Sequence, residues 1–333
     1  MPNMLSKSQK LNIKIFDKDV EKVPIRNGFG EGLAMAGGMD ERVVGICADL
    51  TESTRMEPFA KKYPERFVDI GVAEQNLATV ASGMAAMGKI PFITSYAMFS
   101  PGRNWEQIRT TICYNDQPVK IVGSHAGISV GPDGGTHQAV EDIAITRVIP
   151  RMVVLSPCDH IEARKATLAA VNTNTPVYLR LARNATAVVT TEDTPFEIGK
   201  ARCYFEPKEG KAQVGIIATG TLVHRALVAA QELEDEGVAV KVLNLATIKP
   251  LDEAEIIKLA EETGRIVTVE EHQIAGGMGS AVAEVLAQHA PVPIEFVGVH
   301  DKFGQSGEPD ELVEEYGMGV EGIKKAVQKV MGR

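Results

Sequence analysis

The chain has 333 residues, with 35 Lys and Arg against 44 Asp and Glu, a formal charge of −9. Hydrophobic residues make up 44% and charged ones 24%, an ordinary globular balance, and at ~100–200 residues per domain the length suits two domains. No basic block offers the footprint that nucleic acid needs, and no uncharged stretch exceeds 14 residues; one of that length, Gln75 to Gly88, is rich in Ala, Ser and Thr, too short and polar for a bilayer.

Residues 1–23 are polar and weakly periodic, which predicts a tail or an arm lying on a partner. From residue 24 short β-branched runs alternate with amphipathic segments. Strands are expected at 43–47, 67–70, 90–94, 119–122, 152–155 and 177–181, and helices at 30–36, 73–87, 104–114, 138–146 and 160–171. The pattern loosens between Asn184 and Gln213, so a first domain is expected over 24–190 and a second over 191–333. The second resumes the alternation, with strands at 214–218, 238–243, 266–269 and 294–297. Its helices are expected at 222–234, 253–262, 280–289, 309–316 and 320–330. The expected fold class is therefore α/β, two domains with mainly parallel sheets. Cys47, Cys113, Cys158 and Cys203 lie far apart without a C-x-x-C pair, and the amino terminus lacks an apolar signal segment. A reduced, cytoplasmic protein is expected.

Two glycine clusters imitate ligand motifs. Gly28-Phe29-Gly30-Glu31-Gly32 has the wrong spacing for a dinucleotide fingerprint and no expected strand before it, so close helix packing is its predicted use. Gly276-Gly277-Met278-Gly279 opens a helix after a strand, where a tight turn is expected rather than an anion site.

Three segments concentrate polar groups where parallel strands should end, the usual place for ligands in α/β sheets. Asp69 to Asn76 turns into an apolar helix with Glu74 in its first turn, where the carboxylate complements the helix dipole. Ser124 to Gln138 carries His125, Asp133 and His137 on a glycine-rich loop, a set suited to proton transfer or hydroxyl recognition. Tyr96 and Phe99 follow a buried strand, and Phe99 on a loop could stack on a flat heterocycle.

Together with Ile25-Arg26, Ala48-Asp49-Leu50-Thr51-Glu52-Ser53-Thr54, Gln107-Ile108-Arg109, Leu181-Ala182-Arg183, Thr247 to Leu251, Val269 to His272 and Phe303 to Gly307, these segments form an ordered string. The string resembles the carboxyl-terminal half of transketolase, from about Ile25 to the end. The resemblance implies a thiamine diphosphate pyrimidine-binding fold followed by a transketolase C-terminal domain. The family's amino-terminal pyrophosphate-binding domain is expected to be missing from this chain. None of the 31 glycines is followed by Asp, so the G-D-G that holds the cofactor's diphosphate and metal is missing too. The chain thus looks like one subunit of a split transketolase that moves a two-carbon ketol unit from a ketose phosphate to an aldose phosphate, as in the pentose phosphate pathway.

Roles carry over by position. Glu74 matches the glutamate that hydrogen-bonds the cofactor's aminopyrimidine and promotes deprotonation of thiazolium C2. Tyr96, Phe99 and Asp49 match the cofactor's surroundings. Arg26, Ser53, His125 and Arg183 match the substrate phosphate end, Asp133 a sugar-hydroxyl contact, and His137 a catalytic contact at the donor's reacting end. Arg183 is preferred over its neighbour Arg180 because the Leu-Ala-Arg stretch aligns better. No metal ligand is expected in this chain, since the partner subunit would hold Mg2+ (or Ca2+). The implied assembly is a self-associated pair of these chains flanked by two pyrophosphate-binding partners. Deoxyxylulose phosphate synthase favours Arg at the position of His125, and the beta subunit of two-oxoacid dehydrogenases lacks the Gly-Pro-Asp-Gly-Gly-Thr-His run. A non-catalytic assembly subunit would be expected to lose Glu74, His125 or Asp133, and all three are present.

Overall fold

The computed structural model describes residues 4–333. Its first sheet has strands β2 (Val43–Cys47), β3 (Phe67–Asp69), β4 (Ile90–Tyr96), β5 (Lys120–Ser124), β6 (Val153–Leu155) and β7 (Val177–Arg180), all parallel. A seventh strand, β12 (Thr247–Lys249), joins antiparallel at the edge, giving the order β12-β6-β7-β5-β4-β2-β3. The second sheet holds β9 (Arg202–Phe205), β10 (Val214–Ala218), β11 (Val240–Asn244), β13 (Ile266–Gln273) and β14 (Ile294–Val299) in the order β14-β13-β10-β11-β9, parallel except for β9. A small antiparallel ribbon pairs β1 (Lys22–Pro24) with β8 (Ala185–Ala187). The central strands are buried on both faces, as in β2 and β10, which explains their unbroken Val, Ile, Gly and Ala runs.

The two glycine clusters have structural uses. A side chain at Gly28 would run into the His160 carbonyl, and one at Gly32 would come 2.9 Å from Thr167 Cβ. Helix 25–39 therefore packs backbone-to-backbone on helix 160–171. A short strand, β1, does precede the cluster, but it belongs to the ribbon and not to a nucleotide-binding sheet. At the second cluster, Met278 N and Gly279 N donate to the Glu270 carboxylate at 2.6 and 2.8 Å. The chain's own side chain fills that helix N-terminus, and burial pushes the Glu270 carboxyl up to about 7.

Three expectations need correction. From residue 5 onward the amino-terminal segment is not a free tail but packs on its own chain, and residues 1–3 of the expected tail lie outside the described residues. Leu5, Leu11 and Ile15 are buried in the second sheet's core beside Tyr204 and Phe205, and the Ile15 carbonyl meets His224 Nε2 at 3.0 Å. Apolar residues spaced irregularly in a polar segment hide this packing from a periodicity test. The loosened stretch after Asn184 contains β8 and β9 and buries Val189, Thr190 and Ala201. Helix 25–39 begins at Ile25, five residues before the expected start, because Gly28 and Gly30 weaken the helical signal while packing demands them. Among the described residues, no helix is long and apolar enough to cross a membrane.

Candidate active site

The parallel strands of the first sheet end on one side, and their following loops bring the polar segments together. Glu74 opens helix 74–86 after β3 and is 2% exposed. Its Oε2 accepts from Arg103 Nη1 at 2.6 Å, and Ser95 Oγ from β4 approaches Oε1 at 3.4 Å. Asn104 Nδ2 donates to the Glu74 carbonyl at 2.8 Å, tying the helix start to the loop after β4. That loop supplies the aromatic wall. The Tyr96 ring stacks on His125 at 3.9 Å and lies 6.1 Å from Phe99, while His137 stands edge-on to both. The Arg103 guanidinium lies 4.8 Å over Phe99. A buried carboxylate beside an aromatic face suits a flat, nitrogen-bearing ring, so these residues fit an aminopyrimidine.

On the far side of His125 the character changes to cationic. Arg26 Nη1 lies 3.0 Å from His125 Nε2 and donates to the Ser53 carbonyl at 2.8 Å. Burial first, then repulsion from Arg55 and Arg183, lowers the Arg26 pKa. His125 is 2% exposed. Burial, with the cations Arg26 and Arg183 adding to it, pushes the imidazole down to about 3, so it is neutral. Ser124 Oγ meets its Nδ1 at 2.9 Å. The Nε of Arg26 is buried without a hydrogen-bond partner. Three guanidinium groups converging on a neutral imidazole call for an anion, and planar forks suit phosphate oxygens. Among the described residues, Asp49, Arg55 and His125 are three of seven non-glycine residues with positive φ, at 57°, 65° and 57°. Backbone strain thus collects around this site.

Family models for the transketolase pyrimidine-binding domain and the transketolase C-terminal domain match residues 21–188 and 204–323. The chain belongs to the transketolase family. It is a transketolase-type subunit, similar to a 6-deoxy-6-sulfo-D-fructose transketolase subunit of Clostridium sp., 39% identical over 96% of this chain and 98% of the relative. An apulose-4-phosphate transketolase subunit of Phocaeicola vulgatus is 36% identical over 91% of this chain and 96% of its own length. A solved split-gene transketolase described as an inactive beta4 tetramer superposes with a TM-score of 0.86 at 42% identity, covering 93% of this chain and 99% of that one. Human transketolase is 34% identical, and the chain spans 49% of its length.

In this transketolase subunit the structure brings together Glu74, Tyr96, Phe99, His137, His125, Arg26 and Arg183, with Ser53 entering through its backbone carbonyl. Asp49 and Asp133 sit exposed on the rim, Asp49 with its N–H held by Asp69 at 3.0 Å. Arg180 is buried in an ion pair with Asp142 at 2.8 Å, away from this cluster. Two side chains escaped the sequence reading. Arg55 lies two residues after Ser53 in the loop that follows β2, and a cation beside a candidate phosphate residue was the available signal. Arg103 gave none, because its pairing with Glu74 spans 29 residues.

Proposed function

We propose that this subunit supplies the pyrimidine-binding half of a thiamine-diphosphate-dependent transketolase site and is active only with a pyrophosphate-binding partner. The observation that carries the reading is the buried Glu74 carboxylate bridged by Arg103 to the Phe99 face, with the Arg26, Arg55 and Arg183 cluster around His125. Glu74 would hold the aminopyrimidine through its ring nitrogen, and Phe99 would pack against the ring's face. When bound, the cofactor supplies a nucleophilic carbon that carries the two-carbon fragment between sugars. Arg26 and Arg183 bind the phosphate of ketose and aldose substrates. Neutral His125 offers one ring nitrogen as a hydrogen-bond partner without adding to the positive charge. Asp133 meets a sugar hydroxyl, and His137 contacts the donor's reacting end. Residues 24–190 and 191–333 form the two domains.

The divalent metal, Mg2+ or Ca2+, would be held by the partner, consistent with the missing G-D-G. Two copies of this chain form the core, with a partner on each side. The beta4 arrangement of the related split transketolase supports self-association. The test is reconstitution of the chain with a G-D-G-bearing partner, thiamine diphosphate and Mg2+. Ketol transfer from a ketose phosphate to an aldose phosphate is expected. A reconstituted complex that binds the cofactor and decarboxylates a 2-oxoacid without passing on a ketol unit would overturn the reading.

A further inference from the structure

The loop from Gly127 to Gln138 carries Asp133 and leads into His137, yet much of its shape comes from the second sheet's half of the chain. Glu271, at 2% exposure on β13, accepts from Ser129 N at 2.5 Å through Oε1 and from Thr221 Oγ1 at 2.8 Å through Oε2. At the loop's other end, Gln138 Nε2 donates to the Gln305 carbonyl at 2.9 Å. Between these anchors the contact is backbone-close. A Cβ at Gly135 would lie 2.7 Å from the Gly304 carbonyl oxygen, and one at Gly134 would lie 2.6 Å from Ser306 Oγ. At Gly127 it would strike the Glu271 carboxyl itself.

The same loop is tied to the cationic cluster. Arg183 Nη1 donates to the Val130 carbonyl at 2.9 Å, and Asn184 Nδ2 donates to the Ser129 carbonyl at 2.7 Å. Ser129 therefore lies between a carboxylate from β13 and the segment that carries Arg183. Release of its N–H loosens the neighbouring Val130 carbonyl, which orients the guanidinium. We infer that the C-terminal half acts as a template for the substrate loop and that Glu271 is a positioning residue for phosphate recognition, acting through Ser129 and Val130 on Arg183. The inference rests on the proposed ketol transfer for its kinetic test, but not for its binding test.

The experiment uses the complex with the partner subunit. Glu271→Ala should raise KM for a phosphorylated ketose about tenfold or more while kcat stays within about threefold. KM for unphosphorylated hydroxypyruvate should stay within about threefold, because that donor offers Arg183 nothing to hold. Glu271→Gln should restore wild-type KM to within about twofold, since its carbonyl can accept from Ser129 N while the Thr221 hydroxyl turns to accept from the amide. Gly135→Ala, which has no positive φ to strain, should act in the same direction as Glu271→Ala. It also serves where the Glu271 variant does not fold. Calorimetric binding of ribose 5-phosphate to the complex should weaken by the same factor, and this decides the role of Glu271 even if the wild type transfers no ketol unit. Equal impairment of both donors, or a lowered melting temperature with unchanged KM and unchanged ribose 5-phosphate affinity, would overturn the inference.

Discussion

The contact between Glu74 and Arg103 sets a measurable energy at the centre of the site. The Nη1 to Oε2 distance is 2.6 Å, with Glu74 2% and Arg103 48% exposed at the side chain. Unit charges about 4 Å apart attract by about 4 kcal/mol at an effective dielectric near 20. The half-exposed guanidinium is screened, so the pair falls between exposed pairs at ~0.2–1 kcal/mol and the ~3–5 kcal/mol lost when a buried pair loses one partner. A coupling of about 1–2 kcal/mol is expected. Urea unfolding of the wild type, Glu74→Gln, Arg103→Met and the double variant isolates it as the non-additive part. A coupling below about 0.3 kcal/mol would refute the argument that this pair neutralises the buried carboxylate. The same variants carry a functional consequence. Arg103 both pairs with Glu74 and covers Phe99, the two contacts a flat aminopyrimidine would take. Arg103→Met should therefore leave thiamine diphosphate affinity unchanged or tighter in the partnered complex. The chain's single tryptophan, Trp105, two residues away, provides a fluorescence signal for the titration. A tenfold loss of affinity would show instead that the guanidinium holds the cofactor.

Glu74→Ala should slow turnover of every donor by at least the roughly 10²–10⁴-fold typical of a positioned acid–base group, together with H/D exchange at cofactor C2; unchanged exchange would remove Glu74 from that role. Arg183→Ala should raise KM for phosphorylated donors by orders of magnitude and change hydroxypyruvate kinetics little; equal effects on both would count against phosphate binding. His125, held down at about 3, should add no inflection between pH 5 and 8 to KM for phosphorylated donors, so an inflection abolished by His125→Asn would contradict its neutral state. Lys120 is 1% exposed, donates to Thr173 and Thr175 oxygens, and burial lowers its pKa to about 7. The unfolded chain binds the extra proton between pH 7 and about 10.5, so this residue's contribution to stability rises with pH through that window, by roughly 5 kcal/mol in all. Denaturant unfolding of wild type against Lys120→Met across that range should show the difference growing with pH, and a flat difference would mean the ammonium stays charged inside.

The central strands were legible because they are short, apolar and buried on both faces. β2 runs over the residues expected of it, and β10 likewise. The helices 160–171 and 253–263 carried the same clarity through their apolar spacing. Legibility failed where a segment's partner lies far away in sequence. β12 reads as part of the second half, yet it pairs with β6 in the first sheet. β9 and the amino-terminal segment look polar, but they seal one edge of the second core through Leu5 and Phe205. Their burial is decided by tertiary contact, which local composition does not encode.

The site divides along the same line. Glu74, His125, Asp133 and His137 sit in local runs whose chemistry shows in the residue types, so a family resemblance could assign them. Arg103 and Glu271 act through partners 29 and 142 residues away, and nothing near either residue marks the pairing. Glu271 does lie in a motif that the resemblance singled out, Val269 to His272, but the motif alone gave no reason for a carboxylate there. The reason is geometric. Gly127, with φ at 91°, leaves room for that carboxylate beside the loop backbone, and a side chain at this position would remove it. Glycine in the loop and glutamate on the opposing strand form one device split between two halves of the chain. Substituting either should therefore disturb the same substrate contacts, and the two effects should be markedly non-additive when combined.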